Sequence, residues 1–94
     1  MYVNDNTLFK FKINGANGSF TLTNATATLY IKRPDSSIII KDCQIDSDYA
    51  YVRLYEGDIS EPGNYMGQLK IVDAEGNTFH TYPFSFEVKK RIYD

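Results

Sequence analysis

A chain of 94 residues with a formal net charge of −2 can form one folded domain but not two. Its basic residues are scattered among acidic ones, apart from Lys89 to Arg91, so we expect no binding to nucleic acid. The single cysteine excludes an internal disulfide and favours folding in a reducing cytoplasm. No run of about 18 apolar residues occurs, so neither a signal peptide nor a membrane span is predicted.

Alternation of apolar and polar residues predicts β-strands along the whole chain. In the first strand Phe9, Phe11 and Ile13 share one face, and after an Asn/Gly-rich turn Phe20 and Leu22 are expected to rejoin the apolar layer. The predicted strands cover residues 7–13, 25–33, 38–45, 49–54, 65–72, 78–82 and 84–89. Pro83 is expected at an edge or at a strand switch, because proline donates no ladder hydrogen bond.

The register of the third strand is open because three isoleucines occur in succession. Ile39, Cys43 and Ile45 share one face, whereas Ile38 and Ile40 share the other. A bulge or burial on both sides would accommodate this pattern. Cys43 is interpreted as a small buried apolar thiol.

A chain reversal at Pro62-Gly63 leads into the long central strand. Tyr65 follows two residues later, in the arrangement in which a buried phenol hydrogen-bonds the backbone of the corner. We therefore predict that Pro62, Gly63 and Tyr65 form a corner that locks the fold. The segment before it, residues 56–60, suits one helical turn with Ile59 packed beneath it. Gly76 is placed to take a left-handed conformation in the following hairpin.

About seven short strands without any βαβ pattern predict an all-β fold, an immunoglobulin-like antiparallel two-sheet β-sandwich. Residues 1–94 are assigned to this single domain. The tail at residues 90–94 leaves the sheet, so the domain is expected to be the N-terminal module of a longer protein, with a linker following it.

No constellation of residues favours catalysis, a cofactor or a metal. His80 is the only histidine and has no local nucleophile, so a solvated strand residue is expected. Asp42, Asp46 and Asp48 could approach a cation, but a solvated turn is the favoured interpretation because calcium loops need denser ligand spacing. We predict that the protein is not an enzyme.

Tyrosine is the surplus residue, with eight copies. If Ala50 and its alternate neighbours on the fourth strand face inward, Tyr49, Tyr51 and Arg53 face outward. On the second strand, Tyr30 faces outward likewise. Tyrosine and arginine are enriched at protein interfaces, so these residues are the predicted interface. The alternative is that isolated surface tyrosines simply suit the pleat of a strand. Outward Met66 and Val72 on the central strand add a weaker apolar contribution.

Four segments in a shared order carry a family resemblance: ATATL at 25–29, DIS followed by PGNY over 58–65, DAEG at 73–76 and PFSFEV at 83–88. In this order the chain resembles the N-terminal domain of phage baseplate upper proteins, an immunoglobulin-like module of siphophage tails from Gram-positive hosts. The resemblance implies a virion protein made in the host cytoplasm and located in the tail baseplate. It implies no catalytic residues.

The same resemblance implies the partners. The module would anchor the upper protein to the central tail hub, while a separate C-terminal part carries the receptor-binding subunits, and the full-length protein would form oligomers around the hub. Two alternatives stay open. One is a module that binds host carbohydrate or receptor directly through exposed tyrosines, and the other is a stalk domain of a bacterial surface adhesin.

Overall fold

A computed structural model describes residues 1–13, 24–46 and 49–92, and these residues contain seven β-strands and no helix. The strands in chain order are β1 (Thr7–Lys12), β2 (Thr26–Lys32), β3 (Ile38–Asp46), β4 (Tyr49–Leu54), β5 (Gly63–Val72), β6 (Thr78–His80) and β7 (Phe84–Val88). Phe20 and Leu22, which were expected to rejoin the apolar layer, lie outside the described residues.

All strand pairings between these seven strands are antiparallel. They form one path in the order β1-β4-β3-β2-β5-β6, and β7 pairs with β5 on the same side as β6. The path is continuous because β3 changes partner, pairing with β2 over residues 38–43 and with β4 over residues 44–46. The result is a curled sheet resembling half a barrel. The all-β antiparallel class is confirmed, and the immunoglobulin-like two-sheet arrangement stays a prediction.

The core fills the concave side of the curled sheet. On β2 the alternate residues Ala27, Leu29 and Ile31 are buried, as the period-two pattern predicts. β1, at one end of the strand path, meets β7 across the core, where the ring of Phe9 packs edge-on against Phe86 with centroids 5.3 Å apart.

The register of β3 is settled by one-sided burial. Ile39 is 8% exposed and faces the core, whereas Ile38 and Ile40 are 52% and 63% exposed on the outer face. Pairing with β2 runs without interruption from Ile38 to Cys43, so the expectation of a bulge or of two-sided burial was wrong. The pairing with β2 determines which alternate residues of β3 face the core, and it leaves two isoleucines exposed to solvent.

The predicted turns form through local hydrogen bonds. Asp35 Oδ1 accepts the Ser37 backbone N–H at 2.9 Å, and Asp73 Oδ1 accepts the N–H groups of two following residues. Gly76 takes a left-handed φ of 86°, as predicted. Ile59 is fully buried beneath the hydrogen-bonded turn that precedes it.

The first three residues pair with the end of β7, which the sequence did not reveal. The Val3 N–H donates to the Lys89 carbonyl at 2.9 Å, and the Lys89 N–H donates to the Met1 carbonyl at 2.8 Å. The bridge between Tyr2 and Lys89 is parallel. This pairing covers the end of the β7 edge and buries Val3 in the core.

Asp58 ties the connection between β4 and β5 to the sheet. Its Oδ2 accepts the Tyr55 backbone N–H at 2.8 Å and lies 2.7 Å from Lys41 Nζ on β3. The Asp58 carbonyl also accepts a hydrogen bond from Arg33 Nε at 3.3 Å. Only 22% of the Lys41 side chain and 19% of the Asp58 side chain are exposed, so these contacts are partly shielded from water.

Asp58→Ala is therefore expected to lower the free energy of unfolding by about 2 kcal/mol, because Lys41 loses its counter-ion and the turn loses its cap. Urea unfolding followed by circular dichroism measures the change. Glu87→Ala is the matched control. Glu87 Oε1 lies 4.0 Å from Lys89 Nζ and both side chains are mostly exposed, so no measurable change in the free energy of unfolding is expected. Equal losses in the two variants would contradict the assignment.

Candidate interface on the outer sheet face

The residues predicted to form an interface all point away from the core. Tyr30, Tyr51 and Arg53 each lie between buried neighbours, Tyr49 precedes the buried Ala50, and the strand period places all four on the outer face. Tyr30 is half-buried on β2, Tyr49 and Tyr51 are half-buried on β4, and Arg53 is exposed. Their role in binding stays a prediction.

The sheet divides these residues into two groups. Tyr30 is paired with Ile40 of β3, whereas Tyr51 is paired with Gln44 of the same strand. Ile40 and Gln44 are four positions apart, which corresponds to about 13 Å along β3. Tyr30 therefore lies apart from Tyr49, Tyr51 and Arg53.

The group on β4 is already engaged within the chain. Its contacts are the Tyr51 hydroxyl donating to Gln44 Oε1 at 2.9 Å, Lys10 Nζ 4.4 Å from the Tyr49 ring centroid, and Arg53 Nη1 donating to Asn6 Oδ1 at 2.9 Å. These contacts hold the side chains against the outer face of β1 and β4. A partner would have to compete with them for the polar atoms.

Tyr30 belongs instead to an apolar patch on the outer face of β3, β2 and β5. We define the apolar patch as Tyr30, Ile38, Ile40 and Met66. Tyr30 pairs directly with Ile40, while Lys32 of β2 lies between Ile38 and Met66. Met66 is 49% exposed, so three large apolar side chains reach solvent around a half-buried tyrosine.

The polar neighbours of the apolar patch complete the pattern of a protein interface. Lys32 and Gln68 lie on the same face within the patch rows, and Ser85 is paired with Met66 at the β7 side. Exposed apolar side chains with polar residues between and beside them occur at protein contact surfaces. The triple isoleucine was the sequence signal for this patch, but only the register shows which isoleucines are exposed.

The corner at Pro62 and Gly63 positions β5 and hence Met66. Tyr65 is fully buried, and its hydroxyl donates to the Glu61 carbonyl at 2.7 Å, which is the hydrogen bond expected at this corner. Burial raises the pKa of Tyr65 above its usual value. Gly63 has a φ of 137°, and a side chain there would approach Pro34 Cγ to 2.9 Å.

Cys43 is half-buried and packs against both parts of the core. Burial raises the pKa of its thiol to about 11, and the neighbouring Asp42 carboxylate acts in the same direction. The thiol is therefore protonated at neutral pH and poorly reactive.

The free energy of unfolding is expected to fall as the pH rises from about 9 to about 11, because the unfolded thiol ionises in this window and the folded thiol keeps its proton. A shift of this size corresponds to at most about 2.7 kcal/mol, and solvent screening of the half-exposed thiol reduces its expected contribution to roughly 1 kcal/mol. Urea unfolding at several pH values, compared between the natural chain and Cys43→Ala, isolates the contribution, since both proteins carry the same tyrosines. Parallel pH curves would show that Cys43 is not its source.

The residues considered for metal or acid–base chemistry lie apart from this face or on its margin. His80 is exposed on β6, and Asp42 and Asp46 are exposed on β3, while Asp48 lies outside the described residues. Within the described part of the chain, no three potential metal ligands are grouped and no helix is long and apolar enough to cross a membrane.

A family comparison identifies the domain. The sequence model of the BppU N-terminal domain, the N-terminal domain of the baseplate upper protein, matches residues 2–94. No curated protein matches the chain. The resemblance found in the sequence is thus confirmed, and it brings with it a location in the virion tail and contacts with other tail proteins. The chain belongs to the family of baseplate upper protein N-terminal domains, which have a structural role in the phage baseplate.

Proposed function

We propose that this domain attaches a baseplate upper protein to the central hub of the phage tail, and that the apolar patch is the docking surface. Family membership supports the baseplate role. The observation that carries the docking surface is the exposure of Ile38, Ile40 and Met66 on one face of three paired strands.

Burial of this patch would release favourable free energy at low entropic cost. Full burial of an isoleucine or methionine side chain is worth about 1.5–3 kcal/mol, and about half of each residue is exposed here. Tyr30 at the centre is already held between β3 and β5, so little side-chain freedom is lost when a partner covers it. These are the features of a binding hot spot.

The fold that we propose for this role is the immunoglobulin-like sandwich. Two features support it: the corner hydrogen bond of Tyr65, and the packing of Phe9 on β1 against Phe86 on β7 across the core. The change of partner along β3 is how one strand serves both layers of such a sandwich.

Several copies of the domain would surround a symmetric hub, as the family resemblance implies. Modest affinity at each apolar patch would then suffice, because the copies bind together through one assembly. Oligomerisation would be a property of the full-length protein.

Binding of the purified protein to the hub protein of the same phage, measured by biolayer interferometry, tests the proposal. Ile40→Asp should weaken binding at least about tenfold, because it places a charge in the centre of the contact. Ile40 faces solvent, so the fold is kept, and circular dichroism checks this. Tyr82→Ala is the control, since Tyr82 is 94% exposed and lies outside the patch.

Unchanged binding of Ile40→Asp, or an equal loss in Tyr82→Ala, would contradict the apolar patch as the docking surface. Binding to cell-wall polysaccharide of the host without any binding to the hub would favour the direct receptor role instead.

A further inference from the structure

The change of partner along β3 opens a fork in the sheet. β3 pairs with β4 only over Gln44 to Asp46, and the earlier part of β3 pairs with β2. β4 continues from Tyr51 to Leu54 with β1 as its partner. Among the described residues, no strand occupies the space between the first half of β3 and the second half of β4.

The hydrogen bonds of Leu69 reveal which backbone groups of β3 point into this fork. The Leu69 N–H donates to Thr81 Oγ1 at 3.1 Å, and its carbonyl accepts the Thr81 N–H at 3.0 Å, so both groups point away from β2. Leu29, which is paired with Leu69, must therefore direct its backbone groups to Lys41 on β3.

The alternation of an antiparallel ladder fixes the remaining residues. Residues 39, 41 and 43 bond to β2, so the backbone N–H and C=O groups of Ile38, Ile40 and Asp42 point into the fork. Gln44, the next residue in this phase, is paired with Tyr51 on β4, which is consistent with it. Three consecutive donor–acceptor pairs thus lie along an open strand edge.

The fork is a groove of about 440 Å³. Tyr51 and Tyr55 line its β4 side, Leu8 contributes from β1, and Lys41 and Asp42 line its β3 side. An open edge of apolar sequence is a template for strand pairing. We propose that this groove binds a single extended segment of another protein, which adds a strand to the open edge of β3.

A second copy of this chain cannot add its own β3 to the groove. That strand is already paired with β2, and the groove is bounded by β3 on one side and β4 on the other. The bound segment is a polypeptide with apolar or aromatic residues at alternate positions, since its outward side chains lie beside Ile38 and Ile40 and towards the ring of Tyr55. This site uses backbone groups and is independent of hub attachment through the apolar patch.

A yeast-displayed library of random nine-residue peptides, selected on the purified protein, tests the groove. Peptides with alternating apolar residues should be enriched. They should lose at least about tenfold in affinity for Ile40→Pro, which removes an N–H that points into the groove but is not needed for the ladder with β2. Ile40→Val is the matched variant, because it keeps both the N–H and an apolar β-branched side chain, so it should bind the peptides nearly as well as the natural chain.

A second measurement leaves the protein unchanged. N-methylation of an enriched peptide at every second residue should abolish binding when the methylated residues are those that pair with β3, and should spare binding when they are the other set. The bound peptide should also slow amide exchange at Ile38, Ile40 and Asp42. The proposal is overturned by a library without enriched peptides, by insensitivity to the phase of N-methylation, or by slowed exchange on β1 instead. Met66→Asp on β5 should weaken hub binding while sparing the peptides, because Met66 belongs to the apolar patch but not to the groove, so the two proposals fail separately.

Discussion

Tyr65→Phe is expected to lower the free energy of unfolding by about 1–2 kcal/mol, and Tyr65→Ala by about 3–5 kcal/mol. The phenylalanine variant leaves the Glu61 carbonyl without the hydrogen bond that it accepts at 2.7 Å. The alanine variant also removes a fully buried ring that stacks on Phe86 with centroids 5.3 Å apart. The larger loss should bring this small domain close to unfolding at room temperature.

Urea unfolding of the two variants, with Tyr51→Phe as control, measures these losses. The Tyr51 hydroxyl also donates a hydrogen bond, to Gln44 Oε1, but on the exposed outer face, where water replaces it at little cost. A similar loss in Tyr65→Phe and Tyr51→Phe would show that the corner does not lock the fold.

Gly67→Ala is expected to destabilise the domain by about 1–3 kcal/mol through overpacking. Gly67 is buried in the middle of β5, and a Cβ atom there would overlap Cζ of Phe84. The Phe84 ring cannot simply turn aside, because it packs against Phe9 and Phe11. The cost is steric, since Gly67 does not have the positive φ that strains a side chain.

A double-mutant cycle with Phe84→Leu identifies the source of the cost. Adding Gly67→Ala to the Phe84→Leu background should cost clearly less than adding it to the natural chain, because the smaller side chain leaves room for a methyl group. Purely additive losses in urea unfolding would mean that contact with Phe84 is not the cause.

The strands were predictable because their signal is local. Alternation places β2 at residues 25–33, and the structure has Thr26–Lys32, so only the ends differ. The corner at Tyr65 was predictable for the same reason, since its hydrogen bond spans four residues. Lys41 and Asp58, in contrast, are 17 positions apart in the chain, and no local pattern announces their ion pair.

The candidate site was predictable only in part, because surfaces depend on which strands pair and in which register. The outward direction of Tyr30 and Tyr51 follows from alternation along each strand, but their separation depends on the pairing of both with β3. The exposure of Ile38 and Ile40 likewise follows from pairing with β2, because the isoleucine run fits more than one register.

Photo-crosslinking in assembled phage tails tests the central claim most directly. With p-benzoylphenylalanine in place of Ile40, irradiation of purified particles should join the baseplate upper protein to a hub protein, identified by mass spectrometry. The same replacement at Tyr82 should give no crosslink to a hub protein. Crosslinks from position 40 to receptor-binding subunits alone, or equal hub crosslinks from both positions, would contradict attachment through the apolar patch.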